Sequence, residues 1–269
     1  MKIYLYITSK ANKTYVWQNY MRILQDCNRT DRLEDADIVH ILGVWSSKAS
    51  RITRKAKEMG IPYIVSPLGG ISSWNMKKPT TRRPIQRILY QKKEIKDAQA
   101  IVATTTAEFD YLRRRKWNSQ IYRISNCILT HQISEAEMQA EFNSLYDNII
   151  TKYEQRKADS IKKRVALSLG EHKQQDNEDA ILEQLLQIES RIPHQNIPLS
   201  YLKRLQILLH DTEYNDDILE ERIEQLKIRK FSQRIFQVMA ETTGLTEGYM
   251  PIEALEDKTS KQIQKIITE

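Results

Sequence analysis

Two segments of the chain combine residue types able to hold a ligand. They are Asp37-Ile-Val-His-Ile-Leu-Gly-Val-Trp-Ser46 and Gly60-Ile-Pro-Tyr-Ile-Val-Ser-Pro-Leu-Gly-Gly70, the second followed by Trp74. Each is a β-branched run that ends in a glycine-containing loop, and in open α/β sheets ligands bind beyond the carboxyl ends of the strands. Gly43, Gly69 and Gly70 allow the backbone to approach a ligand closely, and Trp45 and Trp74 offer apolar faces of the kind that stack on sugars. Ser66 and Pro67 complete the second loop. Read one loop at a time, the glycines equally serve tight turns and the tryptophans equally fill core. His40, late in the strand Ile38–Leu42, is the candidate catalytic base; its alternative reading is a hydrogen-bonded core histidine. Asp37 reads as the end of the preceding loop.

Other chemistries leave weaker traces. His131, His172, His194 and His210 have no metal-ligand spacing, so no metal site is expected. Cys27 and Cys127 are too few and too far apart for a disulfide framework or a zinc site. There is no nucleophile elbow and no phosphate-cradling loop of the P-loop type. The segment from Lys77 to Lys93, which includes Arg82, Arg83, Arg87 and Lys92, can dock phosphates or anionic lipid headgroups, or can simply be a solvated helix face. Arg113-Arg114-Arg115-Lys116 closes a helix and answers its dipole. No nucleic-acid motif is present, and the interleaved aromatics that would stack bases are missing.

The elements that must position these residues follow from periodicity. Ile3–Ile7, Ile38–Leu42, Tyr63–Val65, Ala100–Ala103 and Ile121–Ile124 read as strands, separated by helices over Tyr15–Cys27, Ser46–Met59, Arg83–Ala98 and Thr106–Lys116. Strands alternating with helices predict a Rossmann-like parallel α/β sheet covered on both faces, over residues 1–131. Residues 132–269 carry helical spacing instead, over Glu135–Arg156, Glu178–Ile192, Ser200–Leu209, Asp216–Thr243 and Lys258–Ile267, and predict an α-helical region.

Composition agrees with a folded protein: 269 residues, 40% hydrophobic, with no apolar stretch near the roughly 20 residues of a membrane span. The opening MKIYLYITSK has no cleavage site and reads as a first strand, which points to the cytoplasm. The net charge of +7 is divided unequally. Residues 1–131 carry 24 Lys and Arg against 10 Asp and Glu, and residues 132–269 carry 18 against 25. A basic first part suits anionic partners without choosing among them.

In order and spacing, the four segments of the first part resemble the N-terminal domain of family 4 glycosyltransferases, which have the two-domain GT-B architecture. The family pattern runs from a strand reading D-I-V-H-x-H-G-x-W-S through G-I-P-Y-V-x-S-P-x-G. It continues through a basic helix and an A-T-S-x-x-E segment, matched by Ala103-Thr-Thr-Thr-Ala-Glu108, to an I-P-N-G-I crossing, matched by Ile124-Ser-Asn-Cys-Ile128. The resemblance implies transfer of a sugar from a nucleotide donor to an acceptor hydroxyl, without a metal. It implies an acceptor site on Gly43, Trp45, Ser66, Pro67, Gly69, Gly70, Trp74, Arg82, Arg83 and Glu108, and a position for His40 near the acceptor pocket.

The departures limit what is carried over. Thr8-Ser-Lys-Ala-Asn12 replaces the family's glycine-rich first loop, Leu42 stands where a second histidine is frequent, and Ser125 and Cys127 replace the crossing's proline and glycine. Only 28 positions separate Ser9 from Asp37, too few for the extra βα unit that the family often carries. No second Rossmann-like half is recognisable after residue 131; Glu213 and Glu221 have the family's glutamate spacing but follow no glycine loop. The expectation is a glycosyltransferase-like protein of surface polysaccharide or glycoconjugate biosynthesis that keeps the acceptor-side domain. It would need no cofactor of its own, and would meet a nucleotide sugar only through the donor domain of a partner glycosyltransferase chain. Its acceptor would be a glycan or a lipid-linked sugar, met in the cytoplasm at the inner face of the membrane. The alternative is a non-catalytic module that binds a glycan or a partner enzyme.

Overall fold

The computed structural model describes residues 1–25, 29–72, 75, 90–169 and 176–268. Among the expected site residues, Trp74, Arg82 and Arg83 lie outside these, as do Cys27, His172 and the first seven residues of the expected helix Arg83–Ala98.

The chain forms two compact units, Met1–Tyr153 and Glu154–Glu269. The first is built on five parallel strands in sequential order: β1 (Ile3–Ile7), β2 (Ile38–Leu42), β3 (Tyr63–Ser66), β4 (Ala100–Ala103) and β5 (Ile121–Arg123). β2, β3 and β4 are buried along their whole length, which is why they read as continuous apolar runs.

Alternate strand residues enter two cores. Ile3, Leu5, Ile38, Leu42, Ile64, Ala100 and Val102 face one side, where α1 (Tyr15–Gln25) contributes Tyr20, Ile23 and Leu24. Val39, Ile41, Tyr63, Val65, Ile101 and Ala103 face the other side, covered by α2 (Ser47–Met59), α3 (Lys92–Asp97) and α4 (Thr106–Arg115). Ser46 caps α2 by accepting from Ala49 N–H, and Gly60, at φ 72°, ends it.

The change of face at α1 fixes the topology. Crossovers in parallel sheets are right-handed, so moving a helix to the opposite face reverses the direction in which strands are added. From β1 the chain therefore runs away from β2. Lys2 O accepts from Asp37 N–H on the β2 side, and Ile3 O points to the opposite edge, where Thr30 N–H donates to it at 3.0 Å and Arg29 bridges Ile3 in parallel. The chain then returns past β1 to begin β2. β1 and β2 therefore flank a topological switch point.

After β5, the short α5 (Cys127–Thr130), capped by Asn126, leads into α6 (Glu135–Leu167). The periodicity changes at residue 131, but Met138, Phe142, Leu145, Tyr146 and Ile149 of α6 close the α1 face of the sheet, so the first compact unit continues to Tyr153.

The second unit packs the end of α6 with α7 (Asp176–Glu189), α8 (Leu199–Asp211), α9 (Asp216–Gln225), α10 (Arg229–Thr243) and α11 (Lys258–Gln264). Its described strands are the two-residue β6 (Ile197–Pro198) and β7 (Ile267–Thr268), paired in parallel. The expected helix Asp216–Thr243 is two helices: Lys227 adopts a left-handed φ of 59°, and Ile228 N–H turns back to Ile223 O at 3.1 Å, closing α9. The expected helix Lys258–Ile267 likewise stops at Gln264, and Ile267 enters β7.

Arg222 holds this unit together. It is fully buried, pairs with Asp179, and donates to Val165 O at 3.1 Å and Ser168 Oγ at 3.2 Å, tying α9 to α7 and to the end of α6. Replacing Arg222 with alanine should destabilise the unit by about 3 kcal/mol in urea titrations followed by circular dichroism, the low end of the range for a broken buried pair because Asp179 stays partly hydrated. Methionine at the same place should lose less, since it refills the volume. An alanine variant as stable as the parent would show that the pair holds nothing.

Candidate functional site

The loops after β1, β2 and β3 converge at the switch point. Thr8 N–H donates to Leu42 O and Gly43 N–H to Ser66 O, both at 2.8 Å, so the three strand ends are locked side by side. Between them lies a crevice of about 220 Å³. Thr8, Lys10, Ala11, Thr14 and Trp17 line it from the first loop and α1, Gly43, Val44 and Trp45 from the second, and Pro67, Leu68, Gly70 and Asn75 from the third. This is the place where open α/β sheets hold ligands.

Two glycines are required here. A Cβ on Gly43 would lie 2.2 Å from Thr8 Oγ1, at a φ of 98° that L-residues avoid; one on Gly70 would lie 2.3 Å from Val44 Cγ2 and 2.9 Å from Pro67 O. Trp45 is held in an unusual backbone conformation for a bulky residue, φ 63°. Its backbone N–H donates to Gln91 Oε1, and its indole Nε1–H donates to Gly70 O at 2.8 Å. The ring is thereby fixed in the lining of the crevice before any ligand arrives, which reduces the entropy lost on binding.

An adjoining depression of about 420 Å³ continues along the same edge. Trp17 is shared between the two, and Gly69, Ser72, Thr104, Thr105, Glu108, Tyr111 and Arg114 are among its lining residues. Glu108 lies in its wall with its carboxyl already engaged: Oε1 accepts from Gly69 N–H at 2.6 Å, and Oε2 accepts from Thr104 N–H and Oγ1–H at 2.9 Å. Glu108 therefore shapes the loops and has little left to offer a ligand.

His40 and Ser66 are not among the residues that line the crevice or its extension. Both are fully buried; His40 Nε2 bonds Ser66 Oγ at 2.8 Å and Nδ1 bonds Tyr146 Oη at 2.7 Å. Its ring also packs against Phe142, with centroids 5.4 Å apart. Desolvation lowers the His40 pKa to about 3, so it is neutral at physiological pH. With both nitrogens occupied and no exposed atom, His40 touches no ligand in this structure, and the geometry gives it the core role rather than that of a base.

Gly43, Trp45, Pro67 and Gly70 thus line one crevice, Gly69 and Glu108 line its extension, and Ser66 and His40 line neither. Trp17 and the Thr8–Lys10 turn escaped the sequence reading because that loop departs from the glycine-rich family pattern. The signal was topological: the first βα loop of such a sheet opens on the switch point whatever its residues. Gln91 gave no signal at all. Among the described residues no group of His, Cys, Asp and Glu is arranged to hold a metal ion. No family model, curated protein or solved structure matches the chain.

His40 has a consequence for acid stability. Its folded pKa lies below the ordinary 6.5, so the unfolded chain takes up a proton that the folded one refuses. Its contribution is fully present above pH 6.5 and declines as pH falls towards 3, by up to about 1.4 kcal/mol per pH unit. A His40→Gln variant, compared with the parent by denaturant titration between pH 7 and pH 4, should show a shallower loss. Parallel slopes would mean that His40 is protonated in the folded protein.

Proposed function

We propose that this chain is a glycosyltransferase-like protein of surface polysaccharide or glycoconjugate biosynthesis, whose first unit holds the acceptor sugar in the strand-end crevice. The observation that carries the reading is the crevice itself: a small cleft at a topological switch point, lined by Trp45, whose backbone and indole N–H groups are each held by a hydrogen bond, and by a second tryptophan, Trp17. Aromatic faces beside backbone and hydroxyl groups suit a sugar, whose rings present apolar C–H surfaces edged by hydroxyls. The resemblance of the four segments to the acceptor half of family 4 glycosyltransferases supports the same assignment.

The second unit is helical, and its described residues supply no second large sheet on which to bind a nucleotide sugar. In this reading the donor domain is that of a partner glycosyltransferase chain. The acceptor would be a glycan or a sugar on a lipid carrier at the inner face of the membrane, approached with the basic residues of the first unit. No helix among the described residues is long and apolar enough to cross a membrane.

One observation favours the second reading, a non-catalytic glycan-binding or assembly module. Lys10 is the one titratable side chain among the described residues lining the crevice, and Glu108, in the extension, is committed to the loops. None of those described residues has the character of a general base.

Calorimetry with oligosaccharide acceptors and with nucleotide sugars tests both readings. Acceptor binding should weaken at least tenfold in Trp45→Ala, about 1.4 kcal/mol, and should weaken with added salt because the contributing charges are exposed. Nucleotide sugars should bind the isolated chain no better than millimolar, and the isolated chain should transfer no sugar. Robust turnover by the chain alone would sink the assignment of the donor to a partner. Glycan binding indifferent to Trp45 would sink the crevice as acceptor site. Restoration of transfer on adding a partner transferase would decide for the catalytic reading over the module.

A further inference from the structure

A second cavity, of about 230 Å³, lies on the α2 and α3 side of the sheet and shares no residue with the crevice or its extension. Ser50, Thr53, Arg54 and Lys57 of α2, Tyr63 of β3, and Tyr90, Lys93, Glu94 and Asp97 in and before α3 line it. Its volume is below the roughly 300–1,000 Å³ of common ligand sites and limits an occupant to a small molecule.

The unusual feature is Glu94. The residue is 4% exposed, and neither carboxyl oxygen has a hydrogen-bond partner. The Tyr90 hydroxyl, also buried, has none either. Burial raises the Glu94 pKa to about 8, and the neighbouring Gln91 side chain, just outside hydrogen-bond geometry, pulls it the other way. Four other polar side chains of the cavity, those of Tyr63, Thr53, Lys57 and Asp97, are committed. Tyr63 Oη donates to Glu94 O at 2.8 Å, Thr53 Oγ1 donates to Ser50 O at 3.1 Å, and Lys57 Nζ holds Asp97 Oδ2 at 2.7 Å. A folded protein rarely leaves both oxygens of a buried carboxyl unsatisfied, because each forgone hydrogen bond is a desolvation penalty with nothing to offset it. The polar atoms left over in the wall mark what an occupant would satisfy.

Charge narrows the class. Lys57 and Asp97 neutralise each other, and exposed Arg54 lies only 3.9 Å from Glu58, a loose surface pair. That leaves exposed Lys93 with Arg54 as cationic groups at the mouth, over an interior of neutral hydrogen-bonding groups. An ammonium ligand would enter past like charges. A ligand with hydroxyls inside and an anion outside meets complementary groups at both ends.

We infer that this cavity is a binding site for a small phosphorylated polyol, such as a sugar phosphate. Its hydroxyls bond Glu94 and Tyr90 between α2 and α3, and its phosphate lies against Lys93 and Arg54 at the mouth. The site stands independently of the glycosyl-transfer reading. Gln91, next to Tyr90 in sequence, accepts from the Trp45 backbone, so the turn that opens the cavity also braces the crevice loop.

Calorimetry on the full chain with a panel of hexose 1-phosphates and 6-phosphates is the test, with glucose, inorganic phosphate and ethylammonium as comparison probes. At least one hexose phosphate should bind ten times more tightly than glucose or phosphate. Lys93→Ala, at an exposed position, should weaken hexose phosphate binding at least fivefold and leave glucose unaffected, and Tyr90→Phe should weaken both. Glu94→Leu should abolish binding while raising the melting temperature of the ligand-free protein, a combination that simple misfolding does not produce. Trp45→Ala should leave this binding unchanged, separating it from the crevice. The inference is overturned if no hexose phosphate in the panel binds. It is overturned equally if binding persists in both Lys93→Ala and Tyr90→Phe, if Trp45→Ala removes it, or if ethylammonium binds more tightly than the phosphates.

Discussion

The first unit depends on how the loops at the carboxyl edge of its sheet satisfy their own backbone. A parallel sheet ends each strand in N–H and C=O groups that have no ladder to join, and a cleft needs those groups exposed to a ligand without letting the loops collapse on one another. Glu108 resolves part of this conflict. From the first turn of α4 its carboxyl reaches back to Thr104 at the end of β4 and across to Gly69 N–H in the loop after β3. One side chain thus sets the separation of two loops. Asn75 Nδ2, donating to Gly69 O at 2.8 Å, fixes the same peptide region from the other side. The cleft is held open by hydrogen bonds within its wall rather than by an occupant.

The fold was legible where burial is two-sided. β2 and β4, buried along their whole length, occupy the spans that their apolar runs predict, and so does β1, which is half-buried at Tyr4, Tyr6 and Ile7. The helix breaks were less legible. Nothing in Leu226-Lys227-Ile228 resembles a stop, since a lysine takes the left-handed position that glycine usually fills, and the tertiary packing of Leu226 and Ile228 pays for it. The reach of α6 into the sheet's core was also hidden. Met138, Phe142 and Tyr146 fit any amphipathic helix, and only the uncovered face of the sheet beside α1 specifies where they go.

The candidate site divides along a similar line. Glycines whose Cβ would collide, such as Gly43 and Gly70, announce themselves by type, and so does Trp45. His40 does not. A histidine within a strand has the same letter whether it reaches the cleft or turns into the core. Side-chain direction alternates along the strand, so a single position decides. Here it points to the α1 face, where Tyr146 from more than a hundred residues later receives it. No local pattern carries that information.

Two buried glutamates in one unit show how little the residue type alone says. Glu108 and Glu94 are 5% and 4% exposed, and each lies near the start of a helix that covers the same face of the sheet. Three donors converge on the carboxyl of Glu108, and it does structural work. Glu94 receives none, and its pKa rises because burial is left uncompensated. A purely structural position would gain by losing such a group, since an apolar side chain of similar size would fill the space without a desolvation penalty. The buried glutamate that contributes least to the fold is therefore the one whose presence asks for a ligand, and the one most saturated with hydrogen bonds is the one that the fold itself explains.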